Sequence, residues 1–498
     1  MITLDEAGFT FEGSEQPALA DVSVEIAAGE LVLVCGRSGC GKSTLLKLLN
    51  GVAPGFEEGE VAGSIRVADI DPGQVTMQEL SATVGSVFQH PRSQLFSIDT
   101  VDELLFGCGN HRVDREVMLG RLDETVAAFG IEEFLDRSTF RLSGGEAQKI
   151  VCASTHMNRP SVYVLDEPSA NLDDGAIDQL VEVLVALKRS GATIVVAEHR
   201  LHYLADLCDR VLYLDEGRLV AQYTGDEFRA LDDDRRSTMG LRATAVEQLS
   251  ADGDGDGAGD GDDVGDGDGA GEGRAASGES APDPTADAVT VERLRCRRRR
   301  RTIVDVAGLE LPKHSVIALT GPNGVGKSTF LAGLSGAMKA DAVVDDGGKL
   351  SRRQRLRRSF VVMQDVHQQL FGESVLDEVL LGHDLDDEAR LAQADDVLTS
   401  LGLASRRDVH PYCLSGGEKQ RTAVAAALLA NTRYLLFDEP TSGIDLDHMT
   451  RFGRLLQEIK GSVDLVIVAT HDREFVRSCA DHVVELSAGR ASAPYRLR

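Results

Sequence analysis

The sequence predicts an α/β fold built twice, on three observations. A phosphate-gripping pattern, G-x-x-x-x-G-K-[ST], occurs as GRSGCGKST at 36–44 and again as GPNGVGKST at 321–329, each after a β-prone apolar run and before helix-forming residues. Downstream of each, a second apolar run ends in Asp-Glu-Pro, starting at Asp166 and at Asp438. The spacing then repeats: Ser143 to Asp166 and Ser415 to Asp438 are both 23 positions, and Asp166 to His199 and Asp438 to His471 are both 33. Such agreement marks an internal duplication, with domain one at 1–240, a linker at 241–288 and domain two at 289–498.

In chain order, LVLVCG (31–36) is a short apolar run leading into the first phosphate loop, as a buried parallel strand does, and VYVLD (162–166) is of the same kind. Residues 176–189 place Ile177, Leu180, Val181, Leu184 and Leu187 on one helical face. Strands alternating with such helices indicate a parallel-sheet core. Lys42 to Gln89 spans 47 positions and Lys327 to Gln364 only 37, so domain two is shortened in its early subdomain. The linker contains ADGDGDGAGDGDDVGDGDGAGEG (251–273), which has almost nothing apolar to bury and is expected to be disordered. Its ~48 residues reach roughly 35–42 Å, enough to let two domains meet.

Charge is unevenly spread over the 498 residues, whose net charge is −29. Residues 1–240 hold 40 acidic and 20 basic side chains, 241–288 hold 13 and 2, and 289–498 hold 28 and 30. This balance argues against general nucleic-acid binding, which needs a basic face. No apolar run approaches the roughly 18 residues of a spanning helix. The start, MITLDEAGFTFEG, has no leader pattern. The eight cysteines are scattered without C-x-x-C, which argues against zinc, iron–sulfur and disulfides. A cytoplasmic protein is expected.

Glycines in each phosphate loop let backbone N–H groups point at phosphates, helped by the positive end of the following helix. The candidate binding positions are Gly36, Ser38, Gly39, Gly41, Lys42, Ser43 and Thr44 in domain one, and Gly321, Asn323, Gly324, Gly326, Lys327, Ser328 and Thr329 in domain two. Lys42 and Lys327 are expected to reach the β- and γ-phosphates of ATP, and Ser43 and Ser328 to offer a hydroxyl to Mg²⁺. Asp166 and Asp438 are expected to hold Mg²⁺, and Glu167 and Glu439 to polarise the attacking water.

LSGGE at 142–146 and 414–418, with Gln89, Gln364, His199 and His471, resembles the nucleotide-binding domain of ATP-binding cassette (ABC) proteins. The resemblance covers both domains and implies, for each, a RecA-like parallel-sheet core with a small antiparallel β subdomain and a helical subdomain. It implies head-to-tail pairing of the two domains, each ATP lying between one domain's phosphate loop and the other's signature. Site one would combine Lys42, Ser43, Gln89, Asp166, Glu167 and His199 with Ser415, Gly416 and Gly417. Site two would combine Lys327, Ser328, Gln364, Asp438, Glu439 and His471 with Ser143, Gly144 and Gly145. Gln89 and Gln364 would reach Mg²⁺, His199 and His471 would sense the γ-phosphate, and Asp173 and Asp445 would cross the interface. Phe11 suits the adenine-stacking position, where domain two offers Arg298, so unequal affinities are expected.

FQHPRSQLFSIDTVDELLFG (88–107) and MQDVHQQLFGESVLDEVLLG (363–382) look like the ATPases of energy-coupling factor importers, which take up vitamins or metal ions. In that family this region receives helices of a transmembrane coupling subunit, and a separate membrane subunit binds the solute. Leu95, Phe96, Leu370 and Phe371 fit either such a groove or the core. The resemblance implies a peripheral position on the inner face of the cell membrane. Two alternatives are a tandem sugar-importer ATPase and a ribosome-associated tandem translation factor. The acidic linker, which RNA would repel, argues against the latter, and the run Arg295–Arg301 is the one feature in its favour.

Overall fold

The computed structural model describes residues 1–497 apart from 171, 246–286, 299–300, 364–365, 383–386, 415, 431 and 442, and the side chains of 367 and 368. Gln364, Ser415 and almost all of the linker therefore lie outside the described residues.

Domain one opens with an antiparallel sheet of β1 (Ile2–Phe11), β2 (Leu19–Ile26) and β4 (Gly59–Val67), in the order β2-β1-β4. Its main sheet runs β5-β6-β7-β3-β8-β9, from β3 (Leu31–Gly36), β5 (Val84–Val87), β6 (Val162–Asp166), β7 (Thr193–Ala197), β8 (Arg210–Asp215) and β9 (Arg218–Thr224). All pairs are parallel except β8 with β9. All of β3 and β7 is buried, as the unbroken apolar runs require of strands covered on both faces. Helix α1 (Lys42–Leu49) leaves the first phosphate loop. A helical arm follows from α2 (Thr100–Asn110) and α3 (Arg115–Phe129), and α4 (Gly144–His156) starts at the LSGGE motif. Helix α5 (Asp174–Arg189) buries Ile177, Leu180, Val183, Leu184 and Leu187, whereas Val181, expected on that face, is only partly covered.

Domain two repeats the plan. Strand β10 (Ala288–Arg298) pairs with β11 (Arg301–Val306), β12 (Leu309–Pro312) and β14 (Asp341–Asp345). The parallel order is β15-β16-β17-β13-β18, from β13 (Val316–Thr320), β15 (Ser359–Val362), β16 (Tyr434–Asp438), β17 (Leu465–Ala469) and β18 (His482–Ser487). Its helices include α6 (Lys327–Ser335), α7 (Val375–Val379), α8 (Glu388–Ser400), α9 (Gly416–Leu429), α10 (Leu446–Ile459) and α11 (Arg473–Cys479). The shortened spacing is visible as a β14 of 5 residues against 9 for β4.

The domain boundary differs slightly from the sequence expectation. Leu241 joins the core of domain one and Arg242 is buried, so the packed chain runs past 240. The eight cysteines are unpaired. Among the described residues, no helix is long and apolar enough to cross a membrane.

Candidate functional site

Both phosphate loops sit between the end of a central strand and an uncapped helix. Gly36 and Gly321 have φ of 150° and 140°, and a Cβ there would lie 2.1 Å from Leu214 O and 2.3 Å from Leu486 O. Only glycine lets the loop turn that close to the neighbouring strand. Helices α1 and α6 begin after Gly41 and Gly326 without a side-chain cap, so their first N–H groups remain for an anion. Lys42 Nζ is buried against Gly36 O (3.1 Å) and Arg37 O (3.0 Å), and Lys327 Nζ donates to Gly321 O at 2.7 Å. Ser43 Oγ donates to Asp166 Oδ1 and Ser328 Oγ to Asp438 Oδ1, both at 3.0 Å. These hard oxygen donors beside a phosphate cradle fit Mg²⁺ and a nucleoside triphosphate.

Glu167 and Glu439 extend their strands by one residue: their N–H groups donate to Ala197 O (2.9 Å) and Ala469 O (2.8 Å). Both then take positive φ, 44° and 48°, a strained conformation for a residue with a Cβ. The strain recurs in both copies at the carboxylate next to the lysine and the Ser–Asp pair. The two carboxylates differ in their electrostatic surroundings. Burial, then Glu198 and Asp166, push Glu167 up to about 8, and Gln89 Nε2 donates to its Oε2 at 2.7 Å. Burial would raise Glu439 too, but His471 and Lys327 outweigh it and hold it below the usual carboxylate range. His471 Nδ1 lies 2.9 Å from Glu439 Oε2, and Lys327 Nζ 3.3 Å from Oε1. Burial, then Lys42, depress His199 to about 3, so its ring is neutral, with Nε2 3.5 Å from Glu167 Oε1.

The domains meet head to tail. Asp173 caps α5 by accepting Ala176 N–H, and its other oxygen accepts the N–H of Asn323 in the second phosphate loop at 2.6 Å. Asp445 does the same with His448 N–H and, at 2.6 Å, with Ser38 N–H in the first loop. The signatures lie one packing layer behind. A Cβ on Gly145 would meet Ala176 at 2.6 Å, and one on Gly417 would meet His448 at 3.0 Å. Ser143 forms a capping box with Glu146, and Gly144 and Gly416 open their helices facing no close neighbour. Thr44 and Thr329 lie in the first turns of α1 and α6, behind the loops, where the open sides at Gly39 and Gly324 have nothing within 4 Å.

The two positions expected to face adenine differ in exposure. Phe11 is half-buried, edge-on to Phe9 at 4.9 Å. Arg298 is exposed at the tip of the β10–β11 hairpin, opposite Arg301.

The Gln-Leu-Phe segments divide their labour. Gln94 accepts Phe88 N–H (2.7 Å) and donates to Ser86 O (3.0 Å), and Gln369 does likewise with Met363 N–H (2.7 Å) and Val361 O (2.6 Å). Leu95 packs partly buried against the core of domain one, and Leu370 is buried in that of domain two. Phe96 and Phe371 are 72 % and 78 % exposed. The buried carboxylates Glu103 and Glu378 hold these loops by accepting the N–H groups of Phe96 and Ser97, and of Phe371 and Gly372.

Sequence reasoning passed over Glu198, Gly443 and Arg242. Glu198 is buried and accepts four donors: the N–H groups of Ser169, His199 and Arg200, and the Tyr203 hydroxyl. A Cβ on Gly443 of domain two would lie 2.9 Å from Glu167 Oε2, so domain two closes over the base of domain one. Arg242 crosses to Asp472 (2.6 Å) and Glu474 (2.7 Å). The available signal was the difference between Glu-His-Arg at 198–200 and Thr-His-Asp at 470–472.

The ABC transporter family matches residues 19–170 and 304–442. Two proteins of Treponema denticola described as ABC transporter ATP-binding proteins are 38 % and 33 % identical to this chain. They cover 98 % and 100 % of it over 96 % and 97 % of their own lengths. The structure of ribosome-bound archaeal Pelota and ABCE1 is similar in fold, with a TM-score of 0.64 at 22 % identity, covering 99 % of this chain and 79 % of that one. The chain belongs to the ABC transporter family, as an ATPase with two ABC domains that bind ATP with Mg²⁺.

Proposed function

We propose that the chain is the ATP-hydrolysing subunit of an energy-coupling factor type importer, driving uptake of a vitamin or metal ion. It would sit on the inner face of the cell membrane against a transmembrane coupling subunit, with a separate membrane subunit choosing the solute. One observation carries this reading: matching positions of the two domains expose the same apolar set beside the Q-loops. Phe88, Phe96, Phe106 and Phe140 in domain one correspond to Met363, Phe371, Leu381 and Tyr412 in domain two, and all eight are exposed. Phe96 and Phe106 stack at 5.4 Å. Paired apolar surfaces fit hydrophobic helices better than an RNA backbone. In domain two, Arg295 of the basic run is taken up by Asp305.

In this reading the two sites are those assembled head to tail. Mg²⁺ would be held by Ser43 and Asp166 in one, with Gln89 nearby, and by Ser328 and Asp438 in the other, and would offset charge on the phosphates. Lys42 and Lys327 grip the phosphates, the signature N–H groups of the opposite domain cap them, and Glu167 and Glu439 orient water and take its proton. Closure on ATP and reopening after hydrolysis reach the partner through loops latched by Glu103 and Glu378.

The test is affinity purification from detergent-solubilised membranes, comparing the native chain with a Phe96→Ser, Phe371→Ser double variant. Two hydrophobic subunits should accompany the native chain and be lost from the variant. Ribosomes, or two long permease chains with a periplasmic-type sugar binder, would overturn the reading.

A further inference from the structure

The histidine turns of the two domains are not equivalent. Arg200 follows His199, whereas Asp472 follows His471. Arg200 is 7 % exposed and crosses the domain interface. Its Nη1 donates to Leu172 O of its own domain at 2.9 Å, and its Nη2 lies 2.7 Å from Nε2 of His471 in the other. A guanidinium carries donors only. Nε2 of His471 must therefore accept, which leaves the ring proton on Nδ1, and Nδ1 is the atom 2.9 Å from Glu439 Oε2. The reverse contact is missing, because Asp472, at the position matching Arg200, is paired with Arg242 at 2.6 Å.

We propose that Arg200 is a positioning residue of site two, supplied by the opposite domain. It holds the Nε2 lone pair of His471 and fixes the Nδ1–H tautomer, with Nδ1 2.9 Å from Glu439 Oε2. Site one lacks the device. The proposal rests on the assignment of His471 and Glu439 to an ATP site and is independent of the membrane partner.

The test reads the ring nitrogens directly. In full-length, deuterated protein labelled with ¹⁵N-histidine and free of nucleotide, the His471 signals are assigned by their loss in His471→Gln. Native His471 should show a protonated Nδ1 and an unprotonated Nε2. Arg200→Ala should shift it toward the Nε2–H form, and Arg200→Lys, which keeps a donor, should restore the native pattern. In a Glu167→Gln background, where only site two turns over, Arg200→Ala should lower kcat about tenfold or more with the KM for ATP little changed, and Arg200→Lys should recover most of it. Native His471 protonated at Nε2 overturns the proposal even if Arg200→Ala fails to fold. So does a tautomer, or a second-site kcat, that ignores Arg200. Failure of membrane subunits to accompany the native chain in the co-purification experiment would overturn the importer reading and leave this one standing.

Discussion

Glu167 and Glu439 end matching strands at φ of 44° and 48°, yet one is pushed up to about 8 and the other is held below the usual range. The cause lies one strand away. Domain one places a buried Glu198 before its histidine, where domain two has Thr470. The added negative charge, on top of burial, favours the protonated form of Glu167. In domain two the histidine and lysine face their glutamate, and the carboxylate stays ionised. A duplicated fold thus gives its two bases different surroundings, Glu198 beside one and His471 with Lys327 beside the other.

The largest effect expected from breaking this comparison is on turnover. Replacing both bases, Glu167→Gln with Glu439→Gln, should cost at least about 100-fold. Each single variant should keep the activity of the other site, with different pH profiles. With Glu439→Gln, turnover at site one should rise as pH climbs through about 8, because Glu167 must lose its proton to accept one. With Glu167→Gln, site two should be flat across neutral pH, since Glu439 is already ionised. Steady-state hydrolysis against pH checks this, and one single variant at full rate beside an inactive one would reduce a site to a structural role.

Next comes the seam between the domains. Burial would raise Asp472, but Arg242 and Arg200 outweigh it and hold it at about 2. Arg242→Ala leaves that buried carboxylate short of a partner and should cost about 3–5 kcal/mol in calorimetric unfolding. Because the folded-state value is depressed, the pair's contribution is complete above the ordinary carboxylate value and is lost as pH falls toward 2.

Nucleotide affinity should separate the sites less strongly. Phe11→Ala should weaken ATP at site one about tenfold, as loss of one stacking platform does, while Arg298→Ala at site two changes little. Calorimetric titration of single-site variants measures both. The smallest effect belongs to the shared interface device. Asp173→Ala and Asp445→Ala each remove a helix cap worth about 1 kcal/mol. Asp445→Ala should cost more, because Asp445 also carries the His448 ring at 2.8 Å. Chemical denaturation of the two variants ranks them.

Much of each half-site was legible because its demands are local. A glycine that must clear Leu214 O, a lysine six positions after it and a serine beside that lysine leave a fixed spacing in any sequence. The doubled Gln-Leu-Phe was visible too, but its division of labour was not. Leu95 and Leu370 went to the cores and Phe96 and Phe371 to the surface, since alternation along so short a run does not say which side faces in. The Glu103 and Glu378 latches were hidden for a related reason: exposed acids and buried ones look alike in a helix start.

By itself the sequence determined that two phosphate loops and two strand-end carboxylates exist, that they are copies, and that the linker is too acidic and glycine-rich to form a core. Backbone geometry and composition act over a few residues and leave their mark in order and spacing. Only the tertiary structure decided that Arg200 meets His471, 271 positions away, and that Arg242 meets Asp472. Those partners are chosen by how two folded surfaces dock, and a local pattern carries no record of the surface it will face.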